Sequence, residues 1–133
     1  VRLNHVTLSV ADVEASVAFY RRLGLMQIVA SYPHYARFVA PEGETTLSLQ
    51  RAEGSSQAAS TTSIHFEVED VDATVAELQQ NGFSFLGDPI DEPYLWREAI
   101  LLDPDGNRLF IYHAGTNRLD PPWRLPAGGE QAG

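Results

Sequence analysis

Residues 10–24, VADVEASVAFYRRLG, and residues 68–82, VEDVDATVAELQQNG, align at an offset of 58 without a gap. Val10/Val68, Asp12/Asp70, Val13/Val71, Ala15/Ala73, Val17/Val75, Ala18/Ala76 and Gly24/Gly82 are identical pairs. Glu14/Asp72 and Ser16/Thr74 are near-identities. A long period met only twice does not fit a solenoid, which stacks several units. It predicts two equivalent modules, and it lets each residue be compared with its counterpart in the other half.

Working outward, each copy reads strand, helix, then three strands. Over 3–10, Val6, Leu8 and Val10 alternate with His5, Thr7 and Ser9, the period of a strand with one buried face. Asp12 is placed to cap a helix that carries Val13, Val17 and Tyr20 at helical spacing and stops at Gly24. Strands are expected over 25–31, 35–40 and 45–51, with Pro41-Glu42-Gly43-Glu44 as the turn before the last. The second copy gives a strand over 62–69, a helix capped by Asp70 and ending near Gly82, and a short strand over 83–87. A proline-broken loop over 88–93 follows, then strands over 96–102 and 108–113 joined by the turn 103–107. Module one is thus 1–52, a small and polar linker is 53–61, module two is 62–113, and a Gly/Pro-rich tail is 114–133. The tail's last residues are expected to be disordered. Its Leu119, Trp123 and Leu125 are apolar enough to dock, either as a strap on the protein surface or as a cover for a ligand site.

The fold class that follows is α+β: two βαβββ modules in tandem, forming curved mixed sheets around a cavity, with the helices on the outer face. Strand parity sorts Val6, Leu8, Val10, Leu47, Leu49, Ile64, Phe66, Val68, Leu109 and Ile111 onto the helix side. The opposite face carries His5, Thr7, Ser9, Ser48, Gln50, Ser63, His65, Glu67, Phe110 and Tyr112, which fits a lined cavity or else a solvated face.

Composition excludes several functions. The chain has 133 residues, 44% of them apolar and 20% charged, which is ordinary for a soluble domain. A net charge of −9 argues against nucleic acid and anionic membranes as partners. No apolar run is long enough to span a bilayer, and no signal peptide is visible. Without cysteine there is neither a disulfide nor a thiolate metal site, so a cytoplasmic setting is expected.

The paired modules, the opening LNHVTLSVADVEASVAFYRRLG, the second SIHFEVEDVDATVAELQQNG and the closing LLDPDGNRLFIY together resemble the vicinal oxygen chelate superfamily. That superfamily includes glyoxalase I, extradiol dioxygenases, fosfomycin-resistance transferases and bleomycin-resistance proteins. The resemblance covers 1–113 and implies a divalent metal held by His or Glu from the first and fourth strands of each module. It also implies a homodimer, since members commonly pair two chains.

At the implied metal positions this chain carries His5, Ser48, Ser63 and Phe110, where relatives carry Glu at the last. One imidazole with two hydroxyls and an arene makes a poor field for a divalent ion. No metal or other cofactor is therefore expected. A displaced site of His5, His65 and Glu67 is the alternative, although His65 and Glu67 lie about 6.6 Å apart along one strand. His5 and His65 are the candidate proton-handling residues, and His65 reads equally as a satisfied cavity histidine. Tyr35 and Arg37 face the cavity by parity, with Arg37 available to a ligand anion or to a carboxylate such as Glu98. Trp96, Phe110 and Tyr112 could stack on a planar ligand, with Ser48, Gln50, Ser63 and Glu67 supplying polar contacts. Two functions stay open: a metal-free binding protein for a small organic molecule, or a lyase, isomerase or dioxygenase acting on a small oxygenated substrate.

Overall fold

A computed structural model describes residues 1–53 and 62–126. The expected linker falls largely on 54–61 and the expected disordered end on 127–133, both outside the described residues. The first module runs β1 (His5–Val10), α1 (Val13–Leu23), β2 (Met26–Ser31), β3 (Tyr35–Val39) and β4 (Thr46–Arg51). The second runs β5 (Ser63–Glu67), α2 (Val71–Gln80), β6 (Ile90–Asp91), β7 (Arg97–Leu102) and β8 (Arg108–His113), followed by a 3₁₀ turn at Gly115–Asn117. The two sheets have the same strand order, β1-β4-β3-β2 and β5-β8-β7-β6. In the first, β1 and β4 are parallel and the other pairs antiparallel, so the sheet is mixed.

The repeat sets both helix starts in the same way. The Asp12 carboxylate accepts from the Ala15 N–H at 3.1 Å and the Asp70 carboxylate from the Ala73 N–H at 3.0 Å. Each cap satisfies a donor that the helix itself leaves orphaned and is worth about 1 kcal/mol. At the far end of α1, Gly24 takes φ 117°, a left-handed conformation that other residues resist. Helix α1 buries Val13, Val17 and Tyr20 and lies against β2, β3 and β4, above Phe38, Leu47 and Leu49. Helix α2 buries Val71, Val75 and Leu78, and the second sheet contributes Ala99, Leu101, Leu109 and Ile111 to the core.

One expected element is displaced. Residues 83–87 form no strand, and the short strand lies at Ile90–Asp91, inside the segment read as a proline-broken loop. The Leu86 N–H makes one bond to the Ile100 carbonyl at 2.8 Å, and regular pairing with β7 begins only at Ile90↔Glu98. Pro89 lacks an N–H and interrupts the ladder between these points. Phe83 is buried as a single anchor, not as part of an alternating strand.

The chain divides into two compact units. One holds the residues up to Ile64 together with Leu102–Arg108, and the other holds His65–Leu101 and the residues from Leu109 onward. The turn 103–107 of the second module therefore belongs to the first unit. Its Asp103 carboxylate is buried and accepts from Tyr20 Oη at 2.6 Å, Asn107 Nδ2 at 2.8 Å and the N–H groups of Asp105 and Asn107 at 2.9 and 2.8 Å. Burial and then the Asp103 carboxylate raise the Tyr20 phenol well above its ordinary value. Asp105 accepts from the Ala11 N–H at 2.8 Å and from Ser16 Oγ at 3.3 Å, beside the start of α1. No helix among the described residues is long and apolar enough to cross a membrane.

Candidate ligand-binding site

In the first unit, strand register places Thr7 opposite Ser48 and Ser48 opposite Arg37, with His5/Thr46 and Ser9/Gln50/Tyr35 two residues away on the same face. These side chains form a directed chain of hydrogen bonds. The Asn4 carbonyl can only accept, so the Thr46 hydroxyl donates to it, at 3.3 Å. Thr46 Oγ1 then accepts from the Nδ1–H of His5, and in the neutral imidazole Nε2 is the acceptor. Ser48 Oγ donates to Nε2 at 3.1 Å, Tyr35 Oη donates to Ser48 Oγ, and Arg37 Nε donates to Tyr35 Oη at 2.9 Å. Thr7 Oγ1 adds a longer contact to Nε2 at 3.3 Å.

For the neutral imidazole the direction runs Arg37, Tyr35, Ser48, His5. Burial pushes the Tyr35 phenol up, but the Ser48 hydrogen bond and the Arg37 guanidinium together outweigh it and bring it below 10. Ser48 is buried, His5 and Gln50 are exposed, and Arg37 engages Tyr35.

The corresponding face of the second unit is aromatic. The His65 imidazole lies parallel to the Phe110 ring at 4.2 Å and 10°, and meets Tyr112 and Trp96 edge-on at 5.2 and 5.9 Å. Trp96 lies 4.9 Å from Tyr112 and 5.6 Å from Tyr94. Such offset and edge-to-face geometries suit ring quadrupoles. The turn 92–96, with Leu95 in a left-handed conformation at φ 69°, leads Tyr94 and Trp96 into this cluster. The Tyr94 hydroxyl donates to the buried Glu98 carboxylate at 2.5 Å. Burial and that carboxylate raise the Tyr94 phenol above its ordinary value. Desolvation beside the rings lowers the His65 imidazole from its ordinary value, against an opposing pull from Glu98.

A cleft of about 430 Å³ opens here, within the size range of small-molecule sites. His65, Tyr94, Trp96 and Phe110 line it from the sheet side. Asn117, Arg118, Pro121 and Trp123 of the tail complete its lining.

The expected site residues therefore fall into groups. His5, Tyr35, Arg37, Ser48 and Gln50 share the polar face of the first unit, and His65, Trp96, Phe110 and Tyr112 share the aromatic cluster of the second. Among the described residues Ser63, half-buried at the start of β5, joins neither group. Glu67 turns its carboxylate to the backbone of Ala114 and Gly115. Sequence reasoning missed Tyr94 and the tail residues Asn117, Arg118 and Pro121 as cleft-lining groups. The available signals were an aromatic two residues before Trp96 and the apolar Trp123 in an otherwise Gly/Pro-rich tail.

The family model of the glyoxalase/bleomycin resistance protein/dioxygenase superfamily matches residues 2–111. The chain belongs to this superfamily. Its fold, the vicinal oxygen chelate fold, is shared with solved structures of low sequence identity. A glyoxalase/bleomycin resistance protein/dioxygenase from Nocardioides matches with a TM-score of 0.74 at 22% identity, covering 100% of this chain and 90% of that one. A lactoylglutathione lyase from Agrobacterium tumefaciens matches with a TM-score of 0.71 at 17% identity, covering 86% and 94%. A bleomycin-binding protein in complex with bleomycin matches with a TM-score of 0.69 at 19% identity, covering 85% and 98%. No curated protein matches the sequence.

The divalent metal implied by the superfamily is a poor fit to these residues. Of the four strand positions, Ser48 and both ring nitrogens of His5 are engaged in the hydrogen-bond chain, and Phe110 stacks on His65. Among the described residues no three His, Asp or Glu side chains gather as a metal would need.

Proposed function

We propose that this protein binds a small planar organic molecule, without a divalent metal, against the aromatic wall of the second unit. The observation that carries the reading is the His65–Phe110 stack with Trp96 beside it, bordering an open cleft. Rings already aligned offer a flat apolar face, and a planar guest gains both burial and quadrupole contacts there. The lowered His65 favours the neutral imidazole, which adds a hydrogen-bonding edge to the face. The bleomycin-binding protein shows that a protein of this fold accommodates an organic ligand.

The chain's two tryptophans, Trp96 and Trp123, both line the cleft, so their emission reports on its occupancy. Titration at pH 7 with acridine and with 1-naphthoate, a neutral and an anionic planar probe, is expected to quench that emission saturably. Phe110→Ala should weaken the better probe about tenfold through lost stacking and burial. If neither probe quenches at millimolar concentration, the reading is wrong.

The hydrogen-bond chain of the first unit favours a second reading. With an imidazole linked through Ser48 to the Tyr35 phenol, that face could move a proton for a lyase or isomerase acting on a small oxygenated substrate. Turnover abolished by His5→Ala would select this reading over the first. A homodimer in the cytoplasm completes the proposal. Exposed Met26 and Ile28 on the edge strand β2 are apolar surface that a second copy would cover, and a cysteine-free chain suits a reducing compartment.

A further inference from the structure

The wall of the cleft formed by the tail has an anchor outside the aromatic cluster. Oε2 of Glu67 accepts from the N–H groups of Ala114 and Gly115 at 2.8 and 3.0 Å, where the chain leaves β8. Its Oε1 lies 3.8 Å from Arg118 Nε, and His113 Nδ1 lies 3.9 Å from Oε2 while donating to the Val68 carbonyl at 2.8 Å. Gly115 takes φ 57°, and a Cβ there would sit 3.3 Å from His113 Nε2, so the bend has little room for another residue. From this bend the 3₁₀ turn carries Asn117 to the cleft, where its carbonyl receives the Trp96 indole N–H at 3.4 Å. Asp120 N–H then bonds to the Thr116 carbonyl at 2.8 Å, and Trp123 follows on the wall.

We propose that Glu67 is a positioning residue for the ligand cleft: by clamping the Ala114–Gly115 backbone to β5 it orders the tail segment that carries Asn117, Arg118 and Trp123 against the aromatic cluster. The geometry explains why a carboxylate stands here. Two N–H groups converge on one oxygen and a guanidinium lies near the other, an arrangement a neutral side chain satisfies only in part. Burial alone would push the Glu67 carboxyl up, but the two N–H groups, His113 and Arg118 outweigh it and hold the carboxyl below 4.5, so the clamp is charged at neutral pH. The inference rests on the cleft being the ligand site, yet the clamp itself is tested without any ligand.

Amide hydrogen exchange on the free protein compares the wild type with Glu67→Ala and Glu67→Gln. Expected is exchange about tenfold faster from Gly115 to Arg124 in the alanine variant, with the amides of β7 and β8 unchanged. The glutamine variant, which keeps one acceptor, should lie between the two. Acridine or 1-naphthoate, whichever the wild type binds, should bind several-fold more weakly to Glu67→Ala, with partial rescue in Glu67→Gln.

Unchanged tail exchange in both variants overturns the inference, as does faster exchange with undiminished probe affinity. If Glu67→Ala does not fold, Glu67→Gln decides by the same two readouts. A wild type that binds neither probe defeats the reading of the cleft instead, and the clamp then stands or falls on the exchange result alone.

Discussion

The first strands of the two modules occupy the same place in the repeat but build opposite surfaces. On β1, β3 and β4 the exposed parity is polar, and its hydroxyls, imidazole and guanidinium hold one another in a directed chain. In the second module His65 of β5, Phe110 and Tyr112 of β8, and Trp96 just before β7 bring rings together instead, and these hold one another by stacking and edge contacts. The two histidines show the difference most clearly. His5 has both nitrogens occupied by hydroxyl groups, whereas His65 has a phenyl ring against its face and two further aromatic rings edge-on. A duplicated scaffold can thus keep its caps, helices and strand order while one sheet face is chosen for hydrogen bonding and the other for planar contact. Helix caps are satisfied locally, within a few residues, whereas a sheet face is set by which side chains three separate strands present together.

The turns before the last strands offer the largest test of this asymmetry. The turn 41–44 is exposed, and its Arg2–Glu44 ion pair is open to solvent. The turn 103–107 is anchored by a buried carboxylate with four donors. Asp103→Ala is expected to cost about 3 kcal/mol by stranding those donors, against about 0.5 kcal/mol or less for Glu44→Ala. Urea unfolding of both variants measures the contrast, and equal losses would mean that the turn is not an anchor.

The polar face makes an intermediate prediction. One of the chain's five tyrosines should ionise below the ordinary value of 10 in an ultraviolet difference titration, and this phase should vanish in Tyr35→Phe. Ser48→Ala should move it back up, because the Ser48 hydrogen bond is part of what lowers it. A titration unchanged by both substitutions would dissolve the directed chain.

The aromatic face predicts the smallest effect. Because folding lowers the His65 value from 6.5, the unfolded chain binds the proton more readily. The stability that His65 contributes is therefore present above pH 6.5 and is lost as pH falls through the folded value. His65→Phe should flatten that part of the stability–pH curve. An unchanged slope would show that His65 is not the group responsible.

Much of the scaffold was legible because its signals are local. The caps at Asp12 and Asp70, the stop at Gly24 and the period-two alternation of β1 all stand where the sequence places them. Residues 83–87 misled because Phe83 and Phe85 look like a strand, whereas Pro89 postpones regular pairing until Ile90. The role of Asp103 was out of reach, since its partner Tyr20 lies 83 residues away in sequence. The polar and aromatic residues could be sorted by parity, but parity does not reveal that hydroxyl protons line up in one direction. Nor does it show that residues beyond the repeat return to face Trp96, because that depends on a clamp joining β5 to the tail.

The turn 103–107 carries one more consequence. The stretch of sequence that is duplicated differs from the body that packs together, because the second copy supplies the piece that latches the first copy's helix. Cutting the chain at the boundary between the copies would not yield two autonomous halves. The amino-terminal fragment would lack the peg for Tyr20 and Ala11, and mixing in the carboxy-terminal fragment should restore it. The two copies are in this sense mortised together: repetition describes how the sequence reads, and interlocking describes how the protein is held.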